Sequence, residues 1–163
     1  MHDIRIAAAD PEELYRDLLG TIDALTAGEP DGVANMANAA AVLWQYLPDL
    51  NWVGFYRMVD GELVLGPFQG KAACIRIPLG RGVCGTAAAT ARTQLVPDVH
   101  AFPGHIACDV ASRAELVVPV VRGGVVIAVL DLDSPVPGRF EAVDAAGCEA
   151  IAALLASRIG ERR

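Results

Sequence analysis

Apolar positions along the chain follow a helical period first and a strand period afterwards. Leu14, Leu18, Ile22 and Leu25 recur three or four apart, the spacing that lines one face of an α-helix. Asp10 before Pro11-Glu12-Glu13 supplies a cap, a residue suited to the first turn, and acids for its positive end. Gly28-Glu29-Pro30-Asp31-Gly32 closes that pattern. A second, alanine-rich helix is predicted from about Val33 to Tyr46, stopped by Pro48. The period then changes. Asn51 to Val59 is rich in aromatic and β-branched residues, Asp60-Gly61 is a hairpin turn signal, and Glu62 to Pro67 is the returning strand.

Ile75 to Pro78 is predicted as a short strand, Gly82 to about Arg92 as a helix, and Gln94 to Pro97 as another short strand. A loop from Asp98 to Ser112 follows. Glu115 to Val121 and Val125 to Leu132 pair about Gly123-Gly124 as a second hairpin, and a last helix covers roughly Phe140 to Gly160. No repeat, linker or low-complexity segment divides the chain. The expectation is one α+β domain over residues 1–163, an antiparallel sheet with helices on one or both faces. Its parts are N-terminal helices at about 11–47, sheet and loops at about 50–135, and a C-terminal helix at about 140–160.

Composition narrows the class. The 163 residues are 53% hydrophobic with a net charge of −7, and Lys71 is the only lysine among thirteen basic residues. An acidic surface without basic clusters disfavours nucleic acid. No apolar run reaches the roughly 18 residues that a membrane span needs. The N-terminus carries acids where a targeting peptide would carry basic residues, so the chain reads as cytoplasmic. There its four cysteines would be kept reduced, which allows a transient catalytic disulfide but no structural framework.

Three of those cysteines, Cys74, Cys84 and Cys108, lie in glycine-flanked segments. Cys84 follows Gly80-Arg81-Gly82 at a predicted helix start, where backbone N–H groups favour a thiolate. Cys108 precedes Asp109 in a loop that also carries His100 and His105. Without paired metal-ligand spacing the set points to redox chemistry, and no metal is expected. Cys148 falls within the last helical pattern and reads as core. Glu115 opens an apolar strand, while Asp131 and Asp133 flank Leu132 and so share one strand face. Grouped at an apolar site they would raise at least one pKa. Trp52 and Tyr56, four apart on a strand, also share a face. Neither a phosphate-binding glycine motif nor a nucleophile-elbow serine occurs.

The strings NWVGFY, LVLGPFQGKAACIRIPLGRGVCGTAA, VPDVHAFPGHIACDVAS, ELVVPV and VLDLDSP, in this order, resemble the free methionine-(R)-sulfoxide reductases, a family of GAF-domain enzymes. The likeness covers about Asn51 to Phe140, with Arg113 a departure from the pattern. It implies a GAF fold and thiol-dependent reduction of free L-methionine (R)-sulfoxide. Cys108 would attack the sulfur and Cys74 would resolve the sulfenic acid as a disulfide, with Cys84 a second redox-active thiol. By the same resemblance Glu115 and Asp133 face the sulfoxide oxygen, Asp131 holds the ammonium, and Trp52 and Tyr56 enclose the methyl-sulfinyl end. A loop at Gln69-Gly70-Lys71 would meet the substrate carboxylate. No bound cofactor is implied. Thioredoxin would be the external reductant, and pairing through helices as a homodimer is compatible with the family. Two alternatives stay open: a GAF module that senses a small molecule or oxidant without turnover, and a thiol peroxidase.

Overall fold

A computed structural model describes residues 4–105 and 109–159. It begins with α1 (Pro11–Thr26) and α2 (Gly32–Tyr46). Asp10 caps α1 by accepting from the Glu13 backbone N–H at 2.8 Å. Asp31 caps α2 by accepting from the N–H groups of Val33 and Ala34. Both caps satisfy donors that a helix start leaves without partners. The chain then runs through β1 (Trp52–Val59), β2 (Glu62–Gly70), β3 (Arg76–Ile77), α3 (Gly82–Thr90), β4 (Gln94–Val96), β5 (Ala114–Arg122), β6 (Val125–Ser134) and α4 (Ala142–Ala156). Among the described residues these six strands form one sheet, ordered β3-β2-β1-β6-β5-β4, with every pair antiparallel.

Alternation along the central strands gives the sheet two apolar faces. Val53, Phe55, Leu116, Val118, Leu130 and Leu132 point to one side. There α2 and α4 cover the sheet, and α1 packs across both helices, burying Leu18, Ile22, Leu43, Ile151 and Leu155 completely. Cys148 belongs to this core and is fully buried, as expected. Trp52, Tyr56, Val117 and Val129 point to the other side, against Val83, Cys84 and Ala87 of α3. The second face therefore has one short helix and loops for cover, and the candidate site residues gather there.

Several boundaries differ from the sequence expectation for identifiable reasons. β2 continues past Pro67 to Gly70 because its pairing with β1 shifts register between Gly54 and Tyr56 and then resumes at Gly54↔Phe68. The irregularity leaves Pro67, which has no N–H to donate, where no ladder bond is required. β6 runs on to Ser134 because Ala114 pairs with Ser134, so Asp133 lies within the strand. α4 starts at Ala142, behind a reciprocal cap formed by Glu141 and Asp144. Among the described residues a 3-10 turn, Val99–Ala101, interrupts the long loop, capped by Asp98.

Gly54 makes the β1–β2 irregularity sterically allowed. A Cβ there would lie 2.3 Å from the Phe68 Cβ and 2.7 Å from the Phe68 Cα, a clash that only backbone movement relieves. Gly54→Ala is expected to lower unfolding stability in urea by about 1–3 kcal/mol, the usual range for overpacking. Gly20→Ala in α1, where the added methyl meets nothing within 4 Å, should be neutral or stabilising by up to about 1 kcal/mol. Equal midpoints for Gly54→Ala and wild type would contradict this account of the bulge.

Candidate functional site

Cross-strand register places the acidic residues side by side. Trp52 of β1 pairs with Asp133 of β6, and Asp133 pairs with Glu115 of β5. One step along, Gly54 pairs with Asp131, and Asp131 with Val117. Because side chains alternate across a sheet, Glu115, Asp131 and Asp133 all emerge on the face that carries Trp52 and Tyr56. These five residues line a single cavity that is partly open to solvent.

Aromatic rings make one wall. Trp52 stacks on Phe68 and on Tyr56, with centroids 5.3 and 5.8 Å apart. Both polar tips of this wall are anchored: Trp52 Nε1 donates to the Lys71 carbonyl at 3.1 Å, and the Tyr56 hydroxyl donates to the Cys74 carbonyl at 3.0 Å. The two bonds fasten segment 71–74 over the strand. Lys71, Ala72 and Ala73 consequently form part of the cavity rim, whereas Gln69 and Gly70 do not line it. Opposite, Arg81, Gly82, Val83 and Cys84 bring in the first turn of α3. Gly85 lets that turn approach the preceding loop, since a Cβ on it would lie 2.5 Å from the Pro78 carbonyl oxygen. The third side is closed by His105, Asp109 and Ser112. Asn51 Nδ2 donates to Ser112 Oγ at 3.1 Å and reaches Asp109 Oδ2 at 3.4 Å, while Lys71 Nζ lies 3.5 Å from Asp109 Oδ2. Residues on the two rims are thus held together across the mouth.

Burial governs the charges inside. Glu115 and Asp131 are 7% and 5% exposed, and no described cation lies deep beside them. Desolvation, reinforced by Asp131 and Asp133, pushes the Glu115 pKa well above the usual carboxylate value. Asp131 is pushed up to about 7 by desolvation, opposed by hydrogen bonds from Cys84 and Glu115. Asp133 is raised as well, by desolvation first and then by Asp131 and Asp109. His105 goes the other way, its pKa lowered by desolvation and by His100. Asp109, by contrast, accepts from the Ala111 N–H and is held below its ordinary value. The cavity is therefore a mostly neutral, acid-rich pocket with an ionised aspartate at its rim.

The cysteines are less uniform than their sequence contexts suggest. Cys84 sits in the first turn of α3, but the helix-start effect does not prevail. Burial, together with Asp131 and Glu115, pushes its thiol pKa well up, so it is a protonated thiol, with Sγ 3.9 Å from Glu115 Oε1. This corrects the expected thiolate. Cys74 is disulfide-bonded and packs against the cavity-side core, while Cys84 and Cys148 are free. Cys108 lies outside the described residues. His100 sits on the 3-10 turn, away from the cavity lining, while His105 reaches it. Asn51, Asp109, Ser112 and Arg81 carry no role in the sequence expectation, although all four stand within the strings that carry the resemblance.

The GAF-domain family matches residues 35–159. A free methionine-R-sulfoxide reductase of Escherichia coli is 53% identical over 143 residues, 88% of this chain and 87% of that protein. One from Saccharomyces cerevisiae is 43% identical over 152 residues, covering 88% and 84%. An X-ray structure of a free methionine-R-sulfoxide reductase from Neisseria meningitidis, in complex with its substrate, superposes with a TM-score of 0.94 at 47% identity, covering 98% of this chain and 96% of that one.

Carboxyl groups whose pKa is raised by folding bind protons more tightly in the folded chain than in the unfolded one. Their stabilising contribution is complete at acid pH and is lost as pH rises through the folded value. For Asp131 the window runs from the ordinary 3.8 to about 7. The thermal midpoint of the ligand-free protein should fall between pH 5 and pH 8, and Asp131→Asn, which cannot ionise, should fall less. An equal drop in both proteins would contradict the assignment.

Proposed function

This chain belongs to the GAF-domain family and, within it, to the free methionine-R-sulfoxide reductases, and on that premise we propose how its cavity works: it takes the free amino acid as a zwitterion and reduces the sulfoxide to methionine. The observation that carries the reading is the buried acid cluster beside a two-ring apolar wall. A raised-pKa carboxyl group is the donor needed to protonate a departing sulfoxide oxygen, and an apolar wall accepts a methyl group where water is excluded.

The three acids divide by environment. Glu115, raised by two neighbouring carboxylates as well as by burial, stays protonated and faces the sulfoxide oxygen together with its cross-strand partner Asp133. Asp131, which receives hydrogen bonds that favour its charged form, ionises more readily and pairs with the substrate ammonium. Trp52 and Tyr56 enclose the methyl-sulfinyl end. Arg81 and the first turn of α3, both at the cavity wall, give the substrate carboxylate a positive environment.

Cys108 is the attacking thiolate. Its sulfur bonds to the sulfoxide sulfur as the protonated oxygen leaves as water. Water then attacks the cysteine sulfur, the S–S bond breaks, methionine leaves, and the cysteine is left oxidised by two electrons as a sulfenic acid. Cys74 then condenses with it to a disulfide and releases water, and a thioredoxin-type dithiol returns both thiols. The disulfide-bonded state of Cys74 supports its place in that cycle. Cys84 donates its proton toward Glu115 in the resting site, and service as a second redox thiol requires the loops to move, because burial holds it protonated. Reduction by thioredoxin in the cytoplasm and assembly as a homodimer through helices complete the proposal.

The test is NADPH oxidation in a thioredoxin-coupled assay with the separated R and S sulfoxides of free methionine. Turnover of the R form alone, abolished by Cys108→Ser, is expected. No turnover of either form, with thioredoxin shown to be active, would favour a ligand-sensing GAF module instead. Glu115→Gln should lower kcat by about 100-fold or more, the range for loss of a general acid, and Asp131→Asn should act chiefly on KM. N-acetyl methionine sulfoxide lacks the charged amine, and its reduction at a comparable rate would overturn the ammonium assignment.

A further inference from the structure

Cys84 Sγ, a Glu115 carboxyl oxygen and an Asp131 carboxyl oxygen all lie within 4.8 Å of one another at the buried end of the cavity. Each comes from a different element, α3, β5 and β6, so the fold itself sets their spacing. An acidic cluster alone would not mark a site, but one of its atoms and one atom beside it lack partners. Asp131 Oδ1 is buried without a hydrogen bond among the described residues, in a residue that is 5% exposed. His105 Nδ1, 4.0 Å from Glu115 Oε2, is likewise buried and unpaired. Both residues line the same cavity.

The donor set has a chemical preference. One sulfur and two carboxyl groups, with an imidazole alongside, suit a borderline-soft divalent ion, whereas magnesium and calcium take oxygen alone. Bond lengths of about 2.3 Å to sulfur and about 2.1 Å to oxygen across a tetrahedral angle separate those ligands by about 3.6 Å. The Cys84 sulfur stands 3.9 Å from Glu115 Oε1, so a contraction of a few tenths of an ångström closes that edge.

We propose that Cys84, Glu115 and Asp131, with His105 beside Glu115, form a binding site for a thiophilic divalent cation of the zinc class. The ion takes the place of the thiol proton and of any carboxyl proton, which leave to solvent. It occupies the position assigned above to the substrate ammonium and sulfoxide oxygen, so metal and substrate exclude one another. That competition rests on the functional reading; the site itself does not.

Cobalt(II) alone reports on the site. It is titrated into metal-free protein with Cys74 left disulfide-bonded, and thiolate-to-metal charge transfer is read in the near ultraviolet. One equivalent bound with that band is expected, the band disappearing in Cys84→Ser and persisting in Cys148→Ser. Asp131→Asn should weaken binding by about tenfold or more. Circular dichroism confirms that each variant is folded. Absence of the band in folded wild type, or its survival in Cys84→Ser, overturns the site. Free methionine (R)-sulfoxide is then added to the cobalt form. Displacement supports exclusion; an unmoved band leaves the metal site standing and counts against the substrate reading.

Discussion

Three carboxyl groups, two buried and one half-buried, share one face of an antiparallel sheet with little water to solvate them, and most of the second layer is arranged around that fact. Glu115 and Asp133 are cross-strand partners, and Asp131 is one pleat further along. Their mutual repulsion and loss of solvation keep protons on them at pH values where exposed carboxylates are ionised. A free amino acid brings one positive charge, and a sulfoxide oxygen accepts one proton as it leaves. The cluster offers both complements in one pocket, and the cost of holding it without ligand is set against the large apolar core on the opposite face.

The division of labour between the faces follows from strand alternation. Leu116, Val118, Leu130 and Leu132 anchor β5 and β6 to the helices, while the intervening residues of the same strands carry the acids. A one-residue slip in register would bury the acids beneath α2 and α4 and expose the leucines. The geometry of the candidate site is thus fixed by the same apolar contacts that fix the fold. Rim segments 71–74 and 109–112 are instead held by a few polar bonds from Trp52, Tyr56, Asn51 and Lys71, which suits segments that must admit a substrate.

Much of this was legible in the sequence because it is local. Capping aspartates, the Asp60-Gly61 and Gly123-Gly124 turns, and the change of period after Pro48 place the elements to within a few residues. The shared face of Asp131 and Asp133 follows from their spacing alone. What escaped depends on contacts distant in sequence. Cys84 stands at a helix start that ought to favour a thiolate, but β5 and β6 bring carboxyl groups and apolar cover to it, and burial reverses the effect. The extension of β6 to Ser134 likewise needs its partner Ala114. Asn51 and Ser112 are 61 residues apart, and nothing in either's neighbourhood marks them as partners.

The claim that the acids are kept protonated until a cation arrives is open to direct calorimetric test. Free methionine (R)-sulfoxide would be titrated into reduced Cys108→Ser protein at neutral pH, in two buffers of different ionisation enthalpy. The account predicts that binding releases protons, because the ammonium converts Asp131 to its carboxylate, and that N-acetyl methionine sulfoxide releases none. Tight binding of the free amino acid with no proton exchange would contradict it, since the cluster would then have been ionised already.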